Sequence, residues 1–248
     1  MKLAAVLACR NQSSRLYAKP LQNLDFKNGI SILDYMVAQL KKYKLINEIV
    51  LAVSEFDENS IYIKVADKHG IPYVLGDDDD VLGRLIKGAE LINANHILRV
   101  TTESPYTYMD NLSGIYDYHC ANNIDYSVTK GLPDGAYFEI ISLSALKKSW
   151  NEGSKKHRSE LCTLYIFENK DKFKLAQHDV PEKLRRNDIR LTVDWPEDLI
   201  VFRQVYEALK LSPDVKLDFE AVINYLDQNP KVNAINNWID SGIGRVWY

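Results

Sequence analysis

The 248-residue sequence carries 31 Lys and Arg against 34 Asp and Glu, a net charge of −3, so it is not a protein that coats a polyanion. Nucleic acid is therefore not an expected partner, and basic residues that matter must act locally. Three widely spaced cysteines, Cys9, Cys120 and Cys162, form no CxxC pair, so neither a disulfide framework nor a structural zinc site is expected. That cysteine usage fits a reducing cytoplasm, and no apolar run approaches the ~20 residues that cross a bilayer, so no membrane partner is expected.

A chain of this length buries roughly 70 to 75% of its unfolded surface. One unit over residues 1–248 is expected, with 211–248 a C-terminal packing or dimerisation extension. The start MKLAAVLAC is not expected to be a lipoprotein signal ending in Cys9, because its apolar core spans only about six residues and Arg10 follows directly.

Leu3 to Ala8 is an apolar run without helical period, the pattern of a strand buried on both faces. It opens into a loop carrying Arg10, Arg15 and Lys19, three cations suited to a polyphosphate, with Asn11, Ser13 and Ser14 as small donors. This loop lies where open α/β sheets bind ligands, at a strand's C-terminal end, yet it lacks the GxxxxGK[ST] of a P-loop. Ser31 and Asp34 form a capping box for a helix reaching Lys44. Glu48 to Val53 reads as a second strand, followed by Ser54. A helix from about Glu58 to His69 stops at Gly70, and Ile71 to Leu75 is a third strand. Strands alternating with helices predict a parallel sheet covered on both faces.

In GDDDDVLGR, Gly76 to Arg84, acidic residues suit the first turn of a helix. Nucleotide contacts by Asp80 and Arg84, or a DxD metal site, are the alternatives. His96 to Thr101 is a fourth strand, and Glu103 beyond it is either a Mg²⁺ carboxylate or a helix-entry acid before Pro105. Asp125 to Lys130 and Tyr137 to Ile141 are expected to pair around GLPDG. The polar stretch NEGSKKHRSE, Asn151 to Glu160, reads as a mobile loop whose KKHR meets either solvent or an acidic substrate. Leu184 to Arg186 adds a basic patch, and Ile189 to Val193 reads as a strand. Pro196 then opens a helix to Lys210, before which a lone Asp194 would be an N-cap. Phe219 to Leu226 and the tail SGIGRVWY read as packing elements, and GIGR lacks the strand and third glycine of a dinucleotide fingerprint.

Several of these segments together resemble the cytidylyltransferases that activate acidic sugars, the CMP-ulosonate synthetases and the spore-coat-polysaccharide type. Arg10, Ser13, Ser14, Arg15, Leu16, Lys19 and Leu21 match A-R-x-x-S-x-R-L-P-G-K-x-L, with Gln12, Tyr17 and Ala18 where Gly, Pro and Gly are usual. Asp80 to Arg84 supplies D-V-L-x-R. T-E-S-P stands for G-D-x-P, with Glu103 at the metal-binding aspartate. Pro133, Asp134, Gly135 and Glu139 match P-D-G-x-x-x-E. Glu160, Thr163, Tyr165, Ile166, Asn169, Lys172 and Phe173 match a later segment in which Leu161 replaces a histidine. Arg190 to Leu199 reads R-L-T-V-D-W-P-E-D-L. The resemblance spans about residues 2–208 in consistent order.

It implies an α/β three-layer sandwich with a mostly parallel, Rossmann-like sheet. The reaction it implies joins CTP to an acidic sugar, giving a CMP-sugar and pyrophosphate. Arg10, Arg15 and Lys19 would be catalytic, with Ala8, Asn11, Ser13, Ser14, Ser54, Asp80, Arg84 and Thr101 completing the nucleotide site. Asp134, Glu139, Thr163 and Tyr165 would meet the acceptor, Arg185 or Arg186 would pair with its carboxylate, and Glu103 and Asp194 would hold Mg²⁺. Relatives of this kind imply a homodimer. Another nucleotide, a phosphate or phosphonate acceptor, a DxD glycosyltransferase and a non-catalytic nucleotide binder are the other readings.

Overall fold

The computed structural model describes residues 1–240, so SGIGRVWY at 241–248 lies outside the described residues. Strand β1 (Leu3–Cys9) is an interior strand, third from one edge, of a seven-stranded sheet. Its alternate side chains Leu3, Ala5, Leu7 and Cys9 enter one core, while Ala4 and Val6 enter the other, which is why the run shows no alternation of polarity.

After a small antiparallel ribbon of β2 (Asn23–Asp25) and β3 (Ile30–Ser31), α1 (Ile32–Leu40) starts at the expected capping box. Asp34 N–H donates to Ser31 Oγ at 3.0 Å, and Ser31 N–H donates back to Asp34 Oδ2 at 3.2 Å. The helix stops short of Lys44, because from Leu40 onward three-residue turns bring Tyr43 and Ile46 back against the core. β4 (Glu48–Ser54), α2 (Ile61–His69), β5 (Tyr73–Gly76), α3 (Val81–Leu91) and β6 (His96–Arg99) follow in the expected alternation. Gly70 closes α2 at φ 59°, a left-handed conformation that glycine adopts without steric cost.

Beyond β6 come α4 (Leu112–Ala121), β7 (Tyr126–Thr129), β8 (Glu139–Ser142), α5 (Leu143–Glu152), α6 (Leu164–Glu168) and β9 (Leu175–His178). The strand order is β5-β4-β1-β6-β8-β7-β9. The strands run parallel apart from β8, which is antiparallel to both β6 and β7. Residues 189–193 do not form the expected strand: a single parallel bridge joins Arg190 to Asp134. That segment crosses toward the strand ends instead, with Val193 N–H donating to the Glu103 carbonyl at 2.9 Å. α7 (Pro196–Ala208), α8 (Phe219–Gln228) and α9 (Pro230–Asn233) complete the described chain.

α1, α2, α4, α7 and α8 pack on one face of the sheet, and α3, α5 and α6 on the other, giving the three layers. No helix among the described residues is long and apolar enough to cross a membrane.

The face under α4 holds a histidine cluster. His119 is fully buried, its Nδ1 paired with Ser127 Oγ at 2.8 Å and its ring edge-on to His96, with centroids 4.8 Å apart. Burial, with His96 and His178 nearby, pulls its pKa down to about 4, and burial also lowers those of His96 and His178. Because the folded value lies below the ~6.5 of an unfolded histidine, His119 supports the fold fully above pH ~6.5, and that support is lost as pH falls toward 4. His119→Gln is therefore expected to flatten the fall of Tm between those two pH values. Parallel Tm profiles for the two proteins would show that acid sensitivity arises elsewhere.

Candidate active site

The strand order reverses between β1 and β6: the chain leaves β1 toward β4 and β5, then returns to β6 on the other side. Loops diverge from such a point, leaving a crevice at the strands' C-terminal ends. The crevice here is lined by Ala8, Arg10, Asn11, Ser13, Ser14, Arg15 and Lys19 after β1. Arg99, Thr101 and Glu103 line it after β6, and Arg84 of α3 and Glu160 close its other wall.

The basic loop is held in shape by its own backbone. Asn11 is buried, its N–H donating to Asn59 Oδ1 at 2.8 Å, and its carbonyl accepts from Ala18 N–H at 2.8 Å. Asn11 thus builds the loop more than it offers a donor to a ligand. Ala18 sits at φ 50°, ψ 45°, the left-handed region where the resembled pattern has glycine. There a Cβ costs roughly 1–2 kcal/mol, partly offset by the extra unfolded-state freedom a glycine would bring. Ala18→Gly is expected to raise stability by about 0.5–1 kcal/mol, read as a higher urea midpoint at unchanged m-value. A lower midpoint would mean the alanine methyl makes contacts worth more than its strain.

Asp194 lies just before α7 and gathers the loop's cations. Its Oδ1 is 2.6 Å from Lys19 Nζ and 2.7 Å from an Arg15 guanidinium nitrogen, and its Oδ2 is 2.7 Å from Arg190. Burial pushes this carboxyl up, but Lys19, Arg15 and Arg190 outweigh it and hold the pKa below the usual carboxylate range. Glu103 is pushed up by burial and by the Asp194 charge, against the pull of Lys19.

Arg190 is the buried hub that places Asp194. Its Nη1 donates to Asp134 at 2.7 Å, its Nη2 to Asp194 at 2.7 Å and its Nε to Asp198 at 2.9 Å. Asp198 also accepts from the backbone N–H of Asp194 at 2.8 Å and of Trp195 at 2.9 Å, capping α7. Asp134 reaches the hub because Gly135 turns at φ 82°, with the Leu191 carbonyl too close for any side chain. Burial carries the Asp134 carboxyl up to about 6 against the pull of Arg190, with Asp194 and Asp198 adding to the rise. The sequence marked Arg190 only as part of a motif, although a charge in an otherwise apolar run was a signal. Arg99, inside HILRVT, carried the same signal and was also missed.

Arg84 is buried, its stem lying over Gly76, where any Cβ would come within 2.8 Å of it. One guanidinium nitrogen donates to the Cys9 carbonyl at 3.2 Å, while Nε has no partner among the described residues. Burial lowers its pKa. A cation so placed in a cleft wall is a ready donor to a ligand's carbonyl or phosphate oxygen. Thr101 also lines the cleft, its hydroxyl donating to Ser104 Oγ at 2.9 Å.

The remaining expected site residues are not in this cleft. Asp80 caps α3, accepting from Gly83 N–H at 2.7 Å and from Trp150 Nε1 at 2.7 Å, the structural role open to an acid at a helix start. Its neighbours are likewise engaged: Asp77 in a local turn, Asp78 with Arg10 at 3.6 Å, and Asp79 with Lys155 at 3.3 Å. Among the described residues no three or more His, Cys, Asp or Glu converge on a metal position. Ser54 is buried at the end of β4, away from the crevice lining.

Asp134 and Glu139 are likewise turned inward, Asp134 to Arg190 and Glu139 to Arg99, its antiparallel neighbour across β6 and β8, and to Tyr126 Oη at 2.6 Å. Thr163 is fully buried at the start of α6, and Tyr165 donates to Glu152 at 2.8 Å in the opposite layer. Arg185 pairs with Asp179 at 2.9 Å, and Arg186 with Asp188 at 2.7 Å and Asp227 at 2.5 Å, so neither presents a free guanidinium to the crevice. The KKHR segment is anchored too: Lys155 to Asp79, Lys156 and His157 to Glu168, and Arg158 over the Trp150 ring at 4.2 Å.

The cleft thus joins a basic loop, a buried arginine and Glu103, with Asp194 on the adjacent segment paired to the cleft's Lys19 and Arg15. That combination can neutralise a triphosphate and share a hard divalent cation with it, since such ions take one or two protein carboxylates plus phosphate oxygens.

A family model described as cytidylyltransferase matches residues 4–228. The spore coat polysaccharide biosynthesis protein SpsF of Bacillus subtilis is 26% identical over 227 residues, 91% of this chain and 94% of that protein. Among solved structures, a cytidylyltransferase from Leptospira borgpetersenii superposes with a TM-score of 0.83 at 24% identity, covering 94% of this chain and 96% of that one. CMP:2-keto-3-deoxy-manno-octonic acid synthetase complexed with CTP superposes at 0.63 and 13% identity, covering 85% of this chain and all of the other.

Proposed function

The chain belongs to the cytidylyltransferase family and is a nucleotidyltransferase; on that premise we propose that it joins CTP to an acidic sugar, releasing pyrophosphate and forming a CMP-sugar. The observation that carries this reading is the convergence of Arg10, Arg15 and Lys19 on one crevice with Glu103, next to Asp194. Transfer of a nucleotidyl group needs mainly charge neutralisation and in-line positioning. Arg10, Arg15 and Lys19 grip the triphosphate and stabilise the leaving pyrophosphate. Arg84 and Thr101 contact the nucleotide from the wall. Glu103 and Asp194 hold a divalent cation, Mg²⁺ in this reading. When bound, that cation polarises the α-phosphate and lowers the pKa of the attacking hydroxyl. Arg190 fixes where Asp194 stands.

The acceptor class has separate support. The likeness to SpsF favours a product used in polysaccharide synthesis, and the likeness to a synthetase of a CMP-linked octonic acid favours a sugar acid. Arg185 and Arg186 are not among the residues lining the crevice, whereas Arg99 lines it while paired with Glu139, and is the cation this reading assigns to the acceptor's carboxylate.

Thermal shift with CTP, UTP, ATP and GTP, each with and without Mg²⁺, tests the nucleotide choice. A ligand at 100 times its Kd stabilises the fold by about 2.7 kcal/mol, a readily measured rise. CTP alone is expected to produce it. A shift from another nucleotide would change the reaction, and no shift from any of the four would remove the nucleotide site.

A further inference from the structure

The carboxylate that would hold the metal is already fully engaged. Asp194 Oδ1 is shared by Lys19 and Arg15, and Oδ2 is bound by Arg190. The three cations are not equivalent. Arg190 is buried and committed to Asp134 and Asp198 as well, so it is part of the framework. Lys19 and Arg15 line the crevice, and the Arg15 side chain is 44% exposed. They bind Asp194 and would equally bind a polyphosphate.

We propose that Arg15 and Lys19 act as an exchange lock: in the nucleotide-free enzyme they occupy Asp194 and exclude the divalent cation, and a triphosphate releases Asp194 by drawing them away. This rests on the cytidylyltransferase reading and deepens it. Hard cations need free carboxylate oxygens, and a dication approaching Asp194 in the free protein meets two competing positive charges within hydrogen-bond distance of the same oxygen. A triphosphate gives both cations stronger partners. The freed carboxylate then stands beside Glu103 and the phosphate oxygens that complete the cation's ligands. Nucleotide therefore precedes the metal or enters with it, and each raises the affinity of the other to the same degree.

The test follows the electron paramagnetic resonance of free Mn²⁺, without nucleotide, in three proteins: wild type, the Arg15→Met/Lys19→Met variant, and that variant with Asp194→Asn added. Wild type is expected to bind Mn²⁺ weakly, the double variant at least about tenfold more tightly, and the triple variant no better than wild type. Equal affinity in wild type and double variant would overturn the lock, as would a gain that survives Asp194→Asn. Should the double variant fail to fold by near-ultraviolet circular dichroism, Arg15→Met alone, at a half-exposed position, is expected to show a smaller gain of the same kind, and no gain would overturn the proposal.

Calorimetry of wild type with CTP in EDTA completes the experiment. Binding is expected to persist. Binding seen with Mn²⁺ but not in EDTA would overturn the order. CTP that binds under neither condition would instead sink the cytidylyltransferase reading, whatever the Mn²⁺ series shows.

Discussion

Lys19→Met is expected to lower kcat by about 10²–10³, the usual loss when one preorganised donor to a developing charge is removed. Its cost to stability is expected to be about 1 kcal/mol, because Asp194 keeps Arg15 and Arg190 as partners. Steady-state kinetics with CTP as the varied substrate, alongside urea unfolding, separates the two effects. If Lys19 only anchored Asp194, kcat would fall in step with stability and Lys19→Arg would restore it. If Lys19 stabilises the leaving pyrophosphate, kcat falls far more than the loss of about 1 kcal/mol in stability accounts for, and Lys19→Arg does not restore it. An active Lys19→Met protein would contradict the role given to the whole basic loop.

Arg190→Met is expected to have the largest effect on the fold, a loss of about 3–5 kcal/mol, because breaking a buried ion network leaves its other members as uncompensated buried charge. Asp134, Asp194 and Asp198 would all lose their shared partner. The loss should depend on pH in a defined direction. Asp134 has its folded pKa raised to about 6 even with Arg190 present, above the ~3.9 of an unfolded aspartate. A raised carboxyl favours the folded state at low pH and loses that contribution as pH rises through its folded value, and removing Arg190 raises that value further. The variant is therefore expected to be nearest to wild type around pH 5 and furthest from it at pH 8. A penalty independent of pH would show that the loss comes from the broken hydrogen bonds and packing of the hub and not from the titration of Asp134. Arg190→Lys keeps the charge but has one nitrogen where three are used, so it should fall between the two.

What could be read from the sequence follows the range of the interactions involved. β1 and its basic loop were legible because a strand buried on both faces has no period and then breaks into three cations within ten residues. The Ser31–Asp34 capping box and the Gly70 stop are local, and both are found where expected. Glu103 reached the cleft because it follows a central strand directly. What the sequence did not show is the pairing of residues whose partners lie far along the chain. Nothing near Glu139 indicates that it stands opposite Arg99, since that pairing exists only once β8 runs antiparallel to β6. Arg190 binds an acid 56 residues earlier as well as two within its own motif, and the sequence alone marks it only as a member of that motif. Asp80 and the KKHR segment show the converse: charge runs that suggested ligands are spent on a helix cap, ion pairs and a Trp150 stack. Arg185 and Arg186 were likewise free cations in sequence and paired ones in space.

Attack at the α-phosphate is the central claim, and ³¹P nuclear magnetic resonance of the purified chain with CTP, Mg²⁺ and a panel of sugar acids tests it most directly. Pyrophosphate and a phosphodiester resonance of a CMP-sugar are expected to grow in equal amounts, only with CTP and only with an acidic sugar. Formation of CDP, inorganic phosphate without a phosphodiester, or an equal yield from neutral sugars would contradict it.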